Sequence, residues 1–302
     1  MRAYAGLHSS MVASTLVMTT PISMCSNTFA HRSASPVTRC SRASGSSSGR
    51  PSGGFTPAGP GRVPPSGLPA LHTDLDEPRL AVAEAWEPGR NEGELMAAAE
   101  EAFVSRGTRR LTMDMVLTGP DGAALPEMRL PDEKRTIAAD DMLVYGLEIA
   151  GPKGHWVEFS RPLCGGEPSD ESKRMMEAYQ RYHEICRTAM HAGATAREVH
   201  RAVSAPFTEQ GWKLGHVTGH SIGMTMIEHP RIGEAFDVVL KEDMVCSMHP
   251  HVIAADERTC LYFQDTWHVG ADGATPFSSV PVDFYDPSDP ADLDRFRDSM
   301  LA

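Results

Sequence analysis

Apolar residues recur at helical spacing in three stretches of the chain. Residues 91–107 place Leu95 and Phe103 on one stripe, which predicts an amphipathic helix. Residues 169–191 show the same period over more than five turns. The segment 195–205 opens with a Thr-x-x-Glu capping box, a pattern typical of a helix start. One helix followed later by two consecutive helices is therefore predicted.

Alternating or continuous apolar runs predict the β-strands. These runs occupy residues 111–117, 142–149, 156–160, 213–217, 243–248 and 261–269. Asp272-Gly273 is a hairpin-turn sequence after the last strand, and the acidic end 286–298 is predicted to be a short helix or a tail. The order of elements predicts an α+β class, with helices covering one side of a curved antiparallel sheet.

The first 73 residues differ in composition from the rest of the chain. They contain six Arg and no Asp or Glu, and Ser35–Pro65 has too few large apolar residues to offset the entropy of ordering. We interpret residues 1–73 as a disordered tail, either a transit peptide or an over-extended start. The second interpretation is favoured because residues 1–24 show no clear Arg-bearing amphipathic face. The predicted domain runs from residue 74 to 302.

Charge excludes two classes of partner. The chain has 28 basic and 40 acidic residues, and the six Arg of the tail leave 22 basic against 40 acidic residues in the domain. Such an acidic surface repels nucleic acids and anionic membranes. The six cysteines form no C-x-x-C motif and are predicted to be reduced core residues. These features indicate a cytoplasmic protein, or an organellar one if the tail is a transit peptide.

Histidines are concentrated in one segment of the domain. Gly215–Pro250 contains four of the thirteen histidines, and a fifth, His251, follows directly. Imidazole is a common metal ligand and proton carrier near neutral pH. This segment is therefore the candidate for the chemistry of the protein.

Two glutamates are predicted to face each other across a hairpin. Glu148 and Glu158 lie on opposite arms of the strands that flank the turn Gly151–Gly154. Close carboxylates raise each other's pKa unless a cation or donors hold them. The alternative is that one or both face water, which is the more common state of a single Glu.

Four motifs resemble one family. Gly219–Gly223 (GHSIG) and Glu228–Ile232 (EHPRI) resemble the "GHGIG…HE-P-I" signature of the pita-bread (M24) hydrolases, among them methionine aminopeptidase, aminopeptidase P, prolidase and creatinase. Residues 154–162, 240–252 and 263–273 resemble three further motifs of that family in order and spacing. The resemblance covers roughly residues 92 to 285 and implies the pita-bread fold.

The resemblance also implies a changed metal site. The metalloenzymes of this family hold two divalent ions with two Asp, one His and two Glu. Here the histidine is kept as His220, and Glu158 stands for the second Asp. Glu148 is the nearest candidate for the first Asp, about one residue out of register, and His249 and Gln264 replace the two Glu. With so few carboxylates we expect at most one ion (Mn, Fe, Zn or Co), held by a 2-His-1-carboxylate set. The alternative is a metal-free site, as in creatinase.

The resemblance implies a hydrolase of the Xaa-Pro aminopeptidase or creatinase type, which cleaves a C–N bond in a small zwitterionic or peptide-like substrate. His220 would act as ligand or proton shuttle and Glu158 as ligand or base. His216 occupies a position where some family peptidases keep a catalytic or substrate-side histidine. Glu228 and His251 are expected to contact substrate.

Three expectations about function and assembly stay open at this point. The separate N-terminal domain of creatinase and prolidase is expected to be absent unless the tail replaces it, so a second subunit in a homodimer is expected to complete the pocket. A lyase acting on dimethylsulfoniopropionate is one alternative function, since the Gly-Pro-x-Gly turn resembles the corresponding hairpin in those enzymes. A catalytically inactive binding protein is the other.

Overall fold

The computed structural model describes residues 69–107, 110–151 and 153–301. Residues 1–68 of the predicted tail and Pro152 of the predicted turn lie outside the described residues. The described helices are α1 (Pro69–Glu84), α2 (Glu92–Ser105), α3 (Asp170–Ala189), α4 (Ala196–Thr208) and α5 (Pro290–Leu301). The strands are β1 (Arg110–Gly119), β2 (Met142–Ala150), β3 (Trp156–Cys164), β4 (Lys213–Leu214), β5 (Gly219–Ser221), β6 (Glu228–Ile232), β7 (Val245–Met248), β8 (His251–Ile253), β9 (Cys260–Tyr262), β10 (Asp265–Val269) and β11 (Ala274–Pro276).

The three predicted helices are confirmed, and each begins at a polar cap. The side chains of Asn91, Ser169 and Thr195 accept hydrogen bonds from backbone N–H groups in the first turns of α2, α3 and α4. The predicted capping box of α4 is present, because the Glu198 carboxylate accepts from the Thr195 backbone N–H in return. Helix α1 begins at Pro69 and therefore extends upstream of residue 74, where the domain was predicted to start.

The strands form three antiparallel sheets, which confirms the α+β class. Their orders are β1-β2-β3, β11-β10-β7-β5-β6 and β4-β8-β9. Gly270 N–H donates to the carbonyl of Gly273 and closes the predicted hairpin between β10 and β11.

Two predicted strands differ from the observed ones. The segment 213–217 is a strand only at β4, although the N–H of Gly215 still donates to the carbonyl of His251 in β8. The segment 261–269 is two strands, since β9 pairs with β8 whereas β10 pairs with β7 and β11. At the break, the carbonyl of Gln264 accepts from the N–H of Ser160. The acidic end is the helix α5.

Successive side chains of β2 belong alternately to two apolar layers. Leu143, Tyr145 and Leu147 belong to the layer that packs against α1 and α2. Met142 and Val144 belong to the other layer, which packs against α3 and α4. Because side chains alternate along a strand, the residues at 146 and 148 continue the face of Met142 and Val144. This face of the hairpin carries the candidate site.

A buried ion pair joins β3 to β10 beside this site. The Arg161 guanidinium lies 4.5 Å from the centroid of the Phe159 ring and donates to Asp265 Oδ1 at 3.0 Å. His183 of α3 approaches the other oxygen of Asp265, with Nε2 at 3.6 Å from Oδ2. Burial lowers the pKa of His183 to about 4, although Asp265 acts in the opposite direction.

The four cysteines of the described residues are buried free thiols, as predicted: Cys164, Cys186, Cys246 and Cys260. Burial raises the pKa of each thiol. No helix in the described part of the chain combines the length and the apolar character that a bilayer crossing demands.

Candidate metal centre

The two glutamates of the β2–β3 hairpin are directly opposite each other, as predicted. Glu148 and Glu158 are cross-strand partners, and both are buried. Burial raises the pKa of both carboxyls, and the neighbouring Glu148 raises the pKa of Glu158 further. The pair therefore favours a bound proton or cation more than two exposed carboxylates would.

Two hydrogen-bond donors lie against this pair. The Gln264 amide Nε2 donates to Glu148 Oε1 at 3.1 Å and to Glu158 Oε2 at 3.2 Å. Ser247 Oγ donates to the same Oε2 of Glu158. The Oε1 atom of Glu158 accepts no hydrogen bond among the described residues. The two oxygens of Glu158 are thus in different environments.

His220 presents a lone pair to Glu158. It lies on β5, where its cross-strand partner on β7 is Ser247. Its Nδ1 lies 3.0 Å from the carbonyl oxygen of Ser221, which can only accept, so Nδ1 carries the proton and the other nitrogen is bare. That bare Nε2 lies 3.5 Å from Glu158 Oε1. Burial lowers the pKa of His220 to about 4, which keeps the ring neutral at pH 7.

His249 follows β7 and completes the group. Its backbone N–H donates to the carbonyl of Thr218 at 2.8 Å, and its ring centroid lies 4.8 Å from that of His220. Neither ring nitrogen has a hydrogen-bond partner among the described residues. Burial lowers the pKa of His249 well below its ordinary value. One ligand atom each from Glu158, His220 and His249 lies within 4.8 Å of the others.

This donor set fits a divalent metal ion. Two neutral imidazoles and a carboxylate oxygen are ligands for Mn, Fe, Zn or Co. Buried polar atoms without partners are costly, and a single cation among these three side chains would satisfy them together. The identity of a bound metal does not follow from these three ligands alone, because all four ions accept them.

The rings of His216, His251 and Tyr262 extend the site towards the surface. The exposed His216 ring lies 5.1 Å from His249 and 5.8 Å from His251, centroid to centroid. The buried ring of Tyr262 packs 6.3 Å from His249. Sequence reasoning missed Tyr262, because an aromatic residue in an apolar strand is ordinary core material. Its place two residues before Gln264, on the same predicted strand, was the available signal.

Glu228 is not part of the group formed by Glu158, His220 and His249. It begins β6 and pairs with Ser221, and its carboxylate accepts from the N–H of Thr225 at 3.2 Å. A Cβ on Gly223 would lie 2.9 Å from Glu228 Oε1, so the carboxylate folds back over its own loop. The substrate contact predicted for Glu228 therefore stays a prediction.

The chain belongs to metallopeptidase family M24, whose profile matches residues 77–271. The structural relatives have the pita-bread fold, so the fold implied by the motifs is confirmed.

Among curated proteins, the chain is similar to the probable dipeptidase PepE of Mycobacterium tuberculosis, with 28% identity over 209 residues. The match covers 68% of this chain and 55% of that protein. The chain thus spans about half the length of this relative.

Among solved structures, dipeptidase PepE from Mycobacterium ulcerans matches with a TM-score of 0.64 and 25% identity, covering 73% of this chain and 60% of that one. Methionine aminopeptidase from Rickettsia prowazekii matches with a TM-score of 0.60 and 14% identity, covering 72% of this chain and 99% of that one. The second match is evidence for the fold alone.

Proposed function

We propose that this protein is an M24-type hydrolase that cleaves a C–N bond in a small peptide-like or zwitterionic substrate and uses at most one divalent ion. The observation that carries the proposal is the convergence of ligand atoms from Glu158, His220 and His249 within 4.8 Å of one another. The name of the curated relative, a probable dipeptidase, supports peptide-like substrates.

A divalent ion at these three residues would polarise the scissile carbonyl and lower the pKa of an attacking water. The protein's own groups supply the remaining chemistry. The neutral His220 and His249 keep their lone pairs available at pH 7, because burial lowers the pKa of both rings. Glu148, whose pKa is raised by burial, is suited to hold a proton and pass it to the leaving amine.

The exposed His216 is the group best placed to meet substrate from solvent. Its ring lies beside His249, and its Nδ1 is 2.7 Å from the carbonyl of Val217, so the other nitrogen is available as an acceptor. His251 packs behind it and supports its position. Homodimeric assembly and a cytoplasmic location stay predictions of the same hypothesis.

Metal analysis combined with an activity screen tests the proposal. The purified protein is analysed for bound metals and assayed on Xaa-Pro peptides, guanidino acids and betaines. We expect at most one equivalent of metal and hydrolysis of one of these classes. The His220→Ala variant should lose both, whereas His229→Ala, an exposed histidine on β6, should keep both.

Each competing function has its own result in this screen. A lyase releases a volatile sulfide or an alkene without consuming water. A binding protein turns over none of the substrates and retains ligand after His220→Ala. Two tightly bound ions per chain would refute the proposed single-ion site.

A further inference from the structure

The two oxygens of the Glu158 carboxylate make different contacts. Both described donors, Ser247 Oγ and Gln264 Nε2, reach Oε2. Oε1 receives neither of them and faces the bare nitrogen of His220 at 3.5 Å. A carboxylate held in this way offers a single oxygen to a metal ion.

The Gln264 amide also bridges the two carboxylates. Its NH₂ group donates to Glu148 Oε1 as well as to Glu158 Oε2, at 3.1 and 3.2 Å. The two N–H bonds bring partial positive charge between two acids that are cross-strand partners. A cation between opposed carboxylates would supply positive charge in the same way.

The backbone leaves room for the amide in this orientation. A Cβ at Gly146 would lie 2.8 Å from Gln264 Oε1, and the absence of that atom lets the amide lie flat against β2. Ser247 is fixed independently, because it is the cross-strand partner of His220. The pairing of β5 with β7 therefore positions both His220, a proposed ligand, and Ser247, the donor that orients the neighbouring Glu158.

We propose that Ser247 and Gln264 are positioning residues that hold Glu158 as a one-oxygen ligand and exclude a second metal ion. The amide NH₂ of Gln264 replaces that ion, and Gln264 acts as a donor rather than as a ligand. This proposal rests on the proposed function, since it takes Glu158, His220 and His249 as the metal ligands.

The Gln264→Glu substitution tests the exclusion of the second ion. It removes the NH₂ donor at constant shape and adds a third carboxylate beside two that are buried. The variant, the wild type and the surface control Gln210→Glu are loaded with Mn²⁺, dialysed and analysed for metal and by electron paramagnetic resonance.

We expect one equivalent of Mn²⁺ with an uncoupled spectrum in the wild type and in Gln210→Glu. Gln264→Glu should bind two equivalents with a spin-coupled spectrum, and its metal-free form should melt at lower temperature than its loaded form. If Gln264→Glu still binds one ion with the wild-type spectrum, the role given to Gln264 is wrong and the proposed function stands. If the wild type itself binds two ions, the single-ion part of the proposed function fails and this inference fails with it. If the wild type binds none, this inference alone fails.

Ser247 provides a second test that does not depend on Gln264→Glu folding. Ser247→Ala should weaken the binding of Co²⁺ by about 10- to 100-fold and alter its visible absorption, since outer donors tune metal sites by such factors. Ser247→Thr keeps the hydroxyl and should restore both. Unchanged affinity and spectrum in Ser247→Ala would exclude a positioning role for Ser247.

Discussion

His183 is expected to make the protein sensitive to acid. It lies on the buried face of α3, with its ring 4.6 Å from Trp267 and its Nε2 3.6 Å from Asp265 Oδ2. Burial outweighs the attraction of Asp265, so the pKa of the folded protein's His183 falls to about 4. In the unfolded chain a histidine titrates near about 6.5.

The sign and size of the effect follow from these two pKa values. Above pH 6.5 the ring of His183 is neutral in both the folded and the unfolded protein. In this range His183 therefore does not lower the free energy of unfolding. As the pH falls from 6.5 towards 4, the unfolded chain binds a proton that the folded protein does not, and stability is lost. The free energy of unfolding lost through this residue is about 2 kcal/mol at pH 5, because pH 5 lies about 1.5 units below the pKa of the unfolded chain and each unit costs about 1.4 kcal/mol.

Urea unfolding of the wild type and of His183→Gln at pH 7 and pH 5 measures this loss. The glutamine stays neutral throughout, so the free energy of unfolding of the variant should fall by about 2 kcal/mol less than that of the wild type over this range. Titrating groups that do not contact His183 are common to both proteins and cancel in the difference. Equal losses in the two proteins would refute the depressed pKa and show that the attraction of Asp265 fully offsets the effect of burial.

Three further substitutions have defined outcomes. Gly146→Ala should destabilise the protein by about 1–3 kcal/mol in urea unfolding, since its Cβ would come 2.6 Å from Met115 Cε. Arg161→Met should cost about 3–5 kcal/mol in the same assay because it leaves Asp265 buried without its guanidinium, and a smaller loss would mean that water reaches Asp265. Glu158→Gln should raise the thermal midpoint of the metal-free protein, because it removes one of two opposed carboxyls, while chelator competition shows loss of the metal.

The helices α2, α3 and α4 were predictable from the sequence, whereas α1 was not predicted. Their starts depend on side chains that are close in sequence, such as the capping box of α4, and the structure confirms them at the predicted residues. The opposition of Glu148 and Glu158 was predictable for the same reason, since a short turn fixes the register of a hairpin.

The break within 261–269 was not predictable from local pattern. Its residues form one apolar run, but β9 and β10 pair with different partners, and the change of sheet turns the Gln264 side chain towards the two glutamates. Strand pairing of this kind depends on residues far apart in sequence. The place of Tyr262 beside the site was missed for the same reason, because its neighbours His216 and His249 come from segments far from it in sequence.

The turn between β2 and β3 determines which residue of β3 lies opposite Glu148. Ala150 and Trp156 are the last paired residues before it, and the N–H of Gly151 donates to the carbonyl of His155 across it. A single residue inserted there would shift β3 by one position, and every side chain beyond it would exchange faces. Glu158 would then point into the apolar layer and Val157 would face Glu148. The length of this loop therefore determines whether Glu148 and Glu158 face each other.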